Sequence, residues 1–188
     1  MSVSESIWSL LLNEFVNYVV SSVSEPSEPT KEENNEDFIN DPEDQKKITK
    51  AKLSNAGYQI GQKLADRYTK DRSRFREQVD IIRFLCKDFW TLLFGKNVDN
   101  LKTNHRGMWI IRDENFRPLR NLSFPFDGKN LKKFDLNENQ IQIVQRFLYF
   151  PCGLIRGALS ALGIDADVDV HCSLIPACEF TVISKESN

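Results

Sequence analysis

Residues 75–95 read FREQVDIIRFLCKDFWTLLFG, and this stretch decides the fold. When it is placed on an α-helix, its apolar side chains cover about half of the circumference, which is wider than the ~100° stripe of an ordinary surface helix. Asp71 or Ser73 suits the start of this helix as a cap, and Gly95 suits its end. We therefore expect a central structural helix that packs against more than one neighbour.

The composition of the chain indicates an ordinary globular protein. Its 188 residues suit one domain, 1–188, and can bury a hydrophobic core. The net charge of −2 gives no overall field that would attract nucleic acid. The apolar run at 147–164 contains Pro151 and Arg156, which argue against a membrane span. Because the N-terminal sequence has no signal-peptide pattern, we expect the four cysteines to be reduced thiols of a cytosolic protein.

Two further helices are predicted before the central one. The first runs to about Val23 and is unusually apolar for a terminal helix, so it should pack on something, another chain included. The second starts at Asp41-Pro42, an N-cap followed by proline, and carries Gly57 and Gly61 at a spacing that permits close helix packing. Between them, residues 24–45 hold nine acidic residues against one lysine. We predict a disordered acidic insert there, with a phosphorylatable regulatory loop as the alternative.

The second half of the chain predicts strands around one long helix. Residues 108–112 and 116–119 suggest two short strands, and 122–126 is either a third extended piece or a loop. A last helix should begin near residue 137, loosen at a proline and end at a glycine. The clearest strand is 164–172, with alternating apolar and polar residues, and its partner is 178–182. One covered and one exposed strand face predict an α+β fold with helices packed on one face of an antiparallel β-sheet.

No residue pattern points to catalytic chemistry. A zinc site at His171, Cys172 and Cys178 is disfavoured, because strand alternation puts His171 and Cys172 on opposite faces. The aspartates of 164–172 lack the glycine and glutamate of a calcium loop and fit a solvated strand face. Cys86 lies on the apolar face of the central helix, where a structural thiol belongs. We therefore expect no catalytic residue, no metal and no cofactor in a protein that is not an enzyme.

Three stretches together resemble a known family. They are KDRSRFREQVDIIRFLCKDFWTLLFGK from residue 70, DNLKTNHRG from residue 99 and FPCGLIRGALSALGI from residue 150. The combination resembles the small central subunits of the TRAPP (transport protein particle) complex, and among these subunit six. The resemblance covers about residues 52–183, with the first helix also in register.

The resemblance implies a scaffold. It implies a twisted antiparallel sheet of about four strands, and a subunit that forms a heterodimer with a related acylated small subunit through the first helices. The assembled complex tethers vesicles and activates a Rab GTPase in ER-to-Golgi and Golgi transport, so the chain would be cytoplasmic and peripherally associated with those membranes. The acylated sibling carries its acyl chain on a cysteine. Arg72 stands at the matching place here, so no acylation site is implied.

The first two helices predict a partner interface. Their apolar residues exceed what one side of a small sheet needs for its cover, and exposed apolar surface on that scale marks a partner site. The predicted interface residues are Ile7, Leu11, Phe15, Val19, Leu53, Gly57, Ile60, Gly61 and Leu64. The alternative function is a binding module for an apolar small molecule, such as a lipid or an acyl chain.

Overall fold

The structure is a computed structural model, and it describes residues 3–24, 41–104, 106–122 and 138–185. The helices are α1 (Val3–Ser24), α2 (Pro42–Thr69), α3 (Gln78–Phe84), α4 (Trp90–Phe94) and α5 (Glu138–Ala161). A π-helical turn, Leu85–Phe89, joins α3 to α4, and Arg117–Leu119 form a 3₁₀ turn. The strands are β1 (Asn100–Thr103), β2 (Met108–Asp113), β3 (Ala166–Leu174) and β4 (Ala177–Ser184).

The four strands form one antiparallel sheet in the order β1-β2-β4-β3. Ile111 of β2 and Val170 of β3 both pair with Phe180 of β4, which sets these side chains on one face of the sheet. Ile111 and Phe180 are fully buried, whereas Arg112 on the other face is exposed. The predicted α+β fold is therefore confirmed.

The central helix begins later than predicted and is not regular. Glu77 has extended backbone angles, so α3 begins at Gln78 and neither Asp71 nor Ser73 caps it. Its predicted end is confirmed, because Gly95 adopts the left-handed conformation at φ 75°. The π-helical turn between α3 and α4 holds one more residue per turn than an α-helix and shifts the buried face around the axis.

That shift explains which side chains of the central segment are buried. Phe84 and Phe94 fall outside the apolar arc of a straight helix, yet both are buried. Leu92 lies inside that arc and is only partly buried, and Val79 is exposed. The wide arc seen in the sequence is thus two narrower arcs, one before and one after the π-helical turn.

Several other predictions need correction. The predicted strand at 116–119 is a 3₁₀ turn, because Pro118 cannot donate a ladder hydrogen bond. Strand β1 was not predicted, since its four residues are all exposed and show no alternation. Residues 42–45, assigned above to the acidic insert, form the first turn of α2, and Asp41 caps it by accepting a hydrogen bond from the Glu43 N–H at 3.0 Å.

Some predictions fall outside the described residues. Residues 25–40 of the predicted acidic insert and residues 123–126 of the uncertain extended piece are among them. The structure shows α5 running from Glu138 through the buried Pro151 to Ala161, and Gly163 follows with a positive φ of 92°.

Candidate partner surface

Helix α1 is apolar on two sides. One side carries a buried row that joins the core, namely Leu12, Val16, Val19 and Val23. The other side carries Leu10, Leu11 and Tyr18, and Leu11 and Tyr18 are 65% and 72% exposed. Because Leu11 and Tyr18 are seven residues apart, they lie on the same side of the helix, about two turns from each other. A surface helix normally places polar residues there, so this side has the character of an unfilled interface.

Helix α2 has one buried side and mostly polar other sides, as is usual for a surface helix. A row at intervals of four is buried: Thr49, Leu53, Gly57, Gly61 and Ala65. The other sides of α2 are mostly polar, but Ile48, Ile60 and Tyr68 are exposed there. The contribution of α2 to an exposed apolar surface is therefore smaller than that of α1.

The predicted interface residues differ widely in their exposure. Leu11 and Ile60 are exposed and available to a partner. Val19 and Leu53 are buried in the chain's own core. The remaining large side chains, those of Phe15 and Leu64, are half-buried against that core, and the Phe15 ring lies 5.4 Å from the ring of Phe150 in a T-shaped arrangement. Ile7 lies on α1, and its side chain is outside the description.

Gly57 and Gly61 correct the prediction most clearly. They face α5 of the same chain, and a Cβ added to them would lie 2.3 Å from the Phe150 carbonyl oxygen and 2.1 Å from that of Leu154. Backbone of α5 therefore fills the space that was expected to admit a partner helix. The glycines are structural, and the interface has to be sought elsewhere on α2.

The close approach is reciprocal. A Cβ added to Gly153 or Gly157 of α5 would lie 2.2 Å and 2.0 Å from the carbonyl oxygens of Ser54 and Tyr58 on α2. The Tyr58 hydroxyl and the Ser160 hydroxyl are hydrogen-bonded across the same contact at 2.9 Å. We call these four glycines the glycine seam. Two of them belong to the CGLIRGAL stretch, whose four-residue glycine spacing is a sequence signal for this contact that the predictions above do not use.

The LFGK stretch also has a structural explanation. The Asp113 carboxylate is fully buried and accepts hydrogen bonds from Trp90 Nε1 at 2.8 Å and from Lys96 Nζ at 2.9 Å. Lys96 also donates to Asp99, whose carboxylate accepts a further bond from the Glu114 N–H at 2.7 Å. The hydrogen bond from Lys96 lowers the pKa of Asp99. This cluster fastens the end of the central segment to β2, and both of its carboxylates form ion pairs with Lys96.

Arg72 and Cys86 likewise show no reactive chemistry. The Arg72 guanidinium forms a 2.7 Å ion pair with Asp88 and lies 5.0 Å from the centre of the Phe84 ring, on the surface of the core. Burial raises the pKa of the Cys86 thiol to about 12, so this thiol is neutral at physiological pH. Within the described ranges no group of histidine, cysteine and acidic side chains is placed to hold a metal ion.

A cleft of about 700 Å³ lies between α2, α5 and the edge strand β3. Its walls include apolar side chains, such as those of Leu148, Val168 and Val170. They also include charged side chains, among them Lys50 on α2 and Arg156 on α5. The size is that of a small-molecule site, but the walls are of mixed polarity. None of the helices in the described parts of the chain is long and apolar enough to cross a membrane.

Most of the chain matches the sequence profile of one known family. Residues 8–184 match the profile of the transport protein particle (TRAPP) component family. Trafficking protein particle complex subunit 6b of Danio rerio is 41% identical over 133 residues, which cover 71% of this chain and 77% of the relative. Subunit 6B of Homo sapiens is 42% identical over 132 residues, covering 70% and 76%. Subunit 6A of Homo sapiens is 35% identical over 141 residues, covering 75% and 81%.

A solved structure shows the same fold at low sequence identity. Trafficking protein particle complex subunit 3 from Naegleria fowleri, covalently bound to palmitic acid, superposes with a TM-score of 0.68 over 100% of this chain and 98% of its own. The identity is 17%, so this likeness concerns the fold alone.

Proposed function

Because the chain belongs to the TRAPP component family, we propose that it is a non-catalytic scaffold subunit of a vesicle-tethering and Rab guanine-nucleotide-exchange complex. It pairs with a related small subunit through the outward side of α1, and Ile60 of α2 joins the contact. In this role the chain supplies shape and a docking surface, while the exchange reaction takes place on other subunits.

One observation carries this proposal, namely the second apolar side of α1. Leu10, Leu11 and Tyr18 are exposed although the opposite side of the same helix already reaches the core. Fully burying one large apolar side chain at an interface stabilises the complex by about 1.5–3 kcal/mol. Three such side chains would therefore contribute several kcal/mol to the binding free energy of a heterodimer. A helix that had only to cover its own core would carry polar residues at these positions.

The partner in this proposal is the acylated relative. The structure of similar fold is a subunit 3 that is covalently bound to palmitic acid. The family resemblance implies that Arg72 of this chain stands where such a sibling carries its acyl-bearing cysteine. An arginine has no thiol that could form a thioester, and the Arg72 side chain is instead paired with Asp88. In this proposal the partner subunit carries the acyl chain, and this chain binds the partner subunit. Through that assembly the chain is cytoplasmic and peripherally associated with Golgi or ER-to-Golgi membranes.

The experiment is a paired substitution on the outward side of α1. Leu11→Asp with Tyr18→Asp should abolish co-purification with a palmitate-bearing subunit 3 expressed in the same cells, because both charges would be desolvated at the contact. The isolated variant should keep its far-UV circular dichroism spectrum, since both side chains are largely exposed.

A matched control keeps the chemistry and changes the place. Leu101→Asp with Leu174→Asp also introduces two aspartates at exposed apolar residues, but within β1 and at the end of β3, and should leave co-purification intact. If the α1 variant still pairs at wild-type yield, α1 is not the partner surface. If both variants lose pairing, the effect is general to the fold and the assignment to α1 fails as well.

The cleft beside β3 favours a second candidate function, the binding of an apolar small molecule. Its volume of about 700 Å³ is within the range of ligand sites, and Leu148, Val168 and Val170 form part of its walls. A native mass spectrum of the chain purified from cells separates the two functions. A heterodimer mass supports the scaffold, whereas a monomer that carries a small-molecule adduct supports the ligand-binding module.

A further inference from the structure

Cys172 and Cys178 lie opposite each other in the β3–β4 hairpin. His171 pairs with Glu179, and the next residue on each strand is a cysteine. The pairing resumes one residue out of step at Leu174 and Ala177, which leaves an extra residue in β3 and makes this part of the ladder irregular. The two cysteines are therefore cross-strand neighbours at the start of a β-bulge.

The two thiols also differ in environment. Cys178 is buried, whereas Cys172 is only partly buried and reaches solvent. The Cys172 sulfur lies within hydrogen-bonding reach of the Cys178 thiol and of the Leu174 backbone N–H. The hydrogen bond from Cys178 is the main cause of a lowered pKa of Cys172, with the Leu174 N–H adding to it, whereas the same contact and burial raise the pKa of Cys178. Cys172 is thus the more acidic and the more accessible of the two thiols, and Cys178 is the more protected one.

The geometry favours a bond between the sulfurs. Residues directly opposite in an antiparallel pair have Cβ atoms about 4.5–5.5 Å apart, and a disulfide needs about 3.5–4.5 Å. The required movement is less than about 1 Å, and the irregular ladder after His171 gives β3 room to make it. A regular, fully paired ladder would resist that movement more strongly.

We propose that Cys172 and Cys178 form an oxidative modification site whose substrate is hydrogen peroxide. The Cys172 thiolate attacks one peroxide oxygen, the O–O bond breaks, and the other oxygen leaves as hydroxide and takes up a proton. The Cys178 sulfur then attacks the sulfur of the Cys172 sulfenic acid, and the hydroxyl group leaves as water with the Cys178 proton. Overall, two thiols and one peroxide give one disulfide and two waters.

The other two cysteines are internal controls. Burial raises the pKa of Cys86 to about 12 and raises that of Cys152 as well. Both lie on helical segments, and the four thiols are free in the structure. A reaction that follows thiolate character and neighbouring position should therefore spare Cys86 and Cys152.

The test uses the reduced, full-length chain and hydrogen peroxide, followed by N-ethylmaleimide under denaturing conditions. The tryptic peptide of residues 157–185 contains Cys172 and Cys178 and neither of the other cysteines. After peroxide it should carry no maleimide and be lighter by two hydrogens than the unlabelled reduced peptide. The peptides that contain Cys86 and Cys152 should keep their maleimide. In the variant Cys178→Ser, a dimedone adduct should appear on Cys172, because no neighbour removes the sulfenic acid.

Three results would overturn the proposal. The first is a peptide 157–185 that still takes up two maleimides at peroxide concentrations that oxidise free glutathione. The second is a disulfide between two chains, seen as a dimer on a non-reducing gel. The third is Cys172→Ser oxidised at Cys178 as fast as the wild type, which would assign the reactive thiol to the wrong strand.

Discussion

The glycine seam between α2 and α5 gives the sharpest prediction, and Gly157→Ala is the change that tests it. The added Cβ would lie 2.0 Å from the Tyr58 carbonyl oxygen, whereas such contacts are essentially never shorter than 3.0 Å. The two helices would have to separate locally by about 1 Å. The contacted atoms are backbone atoms of Tyr58, and the added Cβ is fixed to the backbone of α5, so no side chain can rotate away to relieve the contact.

The expected magnitude follows from two opposing terms. Overpacking of a well-packed contact costs about 1–3 kcal/mol, and a contact between two backbones belongs near the upper end of that range. Alanine is favoured over glycine inside a helix by about 1 kcal/mol, which offsets part of the cost. The net destabilisation is about 2 kcal/mol, and for a chain of this size it lowers the Tm by roughly 4–8 °C.

The assay is equilibrium urea unfolding together with a thermal scan, both followed by circular dichroism. Asn55→Ala is the matched control, because Asn55 lies on the exposed part of α2 and gains helix propensity without a steric cost. The control should be as stable as the wild type or slightly more stable, by about 0.5 kcal/mol. A Gly157→Ala variant that unfolds at or above the wild-type midpoint would refute the seam, since propensity alone would then decide the outcome.

Two further substitutions test the core and the charged cluster. Cys86→Ser should lower the free energy of unfolding by about 1–3 kcal/mol, because a hydroxyl replaces a small apolar group in the core, and native Cys86 should resist a bulky thiol reagent. Free labelling of Cys86 in the folded chain would contradict this. Asp99 has a lowered pKa in the folded state, so its stabilising contribution is present above the usual carboxyl pKa and is lost as the pH falls through the lowered value. Asp99→Asn should therefore flatten the acid side of the urea midpoint plotted against pH, and an unchanged slope would count against the Lys96–Asp99 contact as its source.

The fold class could be predicted because its signals are local. Alternation along 164–172 and 178–182 indicated the hairpin, and Asp41 followed by proline indicated the start of α2. What could not be predicted depends on contacts between distant segments. Strand β1 has no pattern of its own and exists because it pairs with β2. The π-helical turn is a change of phase that a fixed angle of 100° per residue hides.

The glycines are a second case in which the sequence predicted a contact but not the segment that makes it. The spacing of Gly57 and Gly61 predicted a close helix neighbour correctly, but it did not indicate which helix. The matching pair Gly153 and Gly157 was in the sequence with the same spacing, and reading the two pairs together would have assigned them to each other. The spacing of two glycines identifies a helix side that contacts another helix. The identity of that helix follows only when a matching glycine pair is found elsewhere in the sequence.

The two sides of α1 now have to be kept apart in any account of the partner surface. Leu12 and Val16 belong to the core, so a charge placed there would unfold the helix. Pairing would then be lost because the chain is unfolded and not because the partner surface has changed. Phe15 is an intermediate case, because its ring contacts Phe150 within the same chain. Leu11 and Tyr18 are free of this difficulty, since more than half of each side chain is exposed. Loss of pairing with retained helix content at these two positions therefore reports on the partner surface itself, and the same result at a buried position would not.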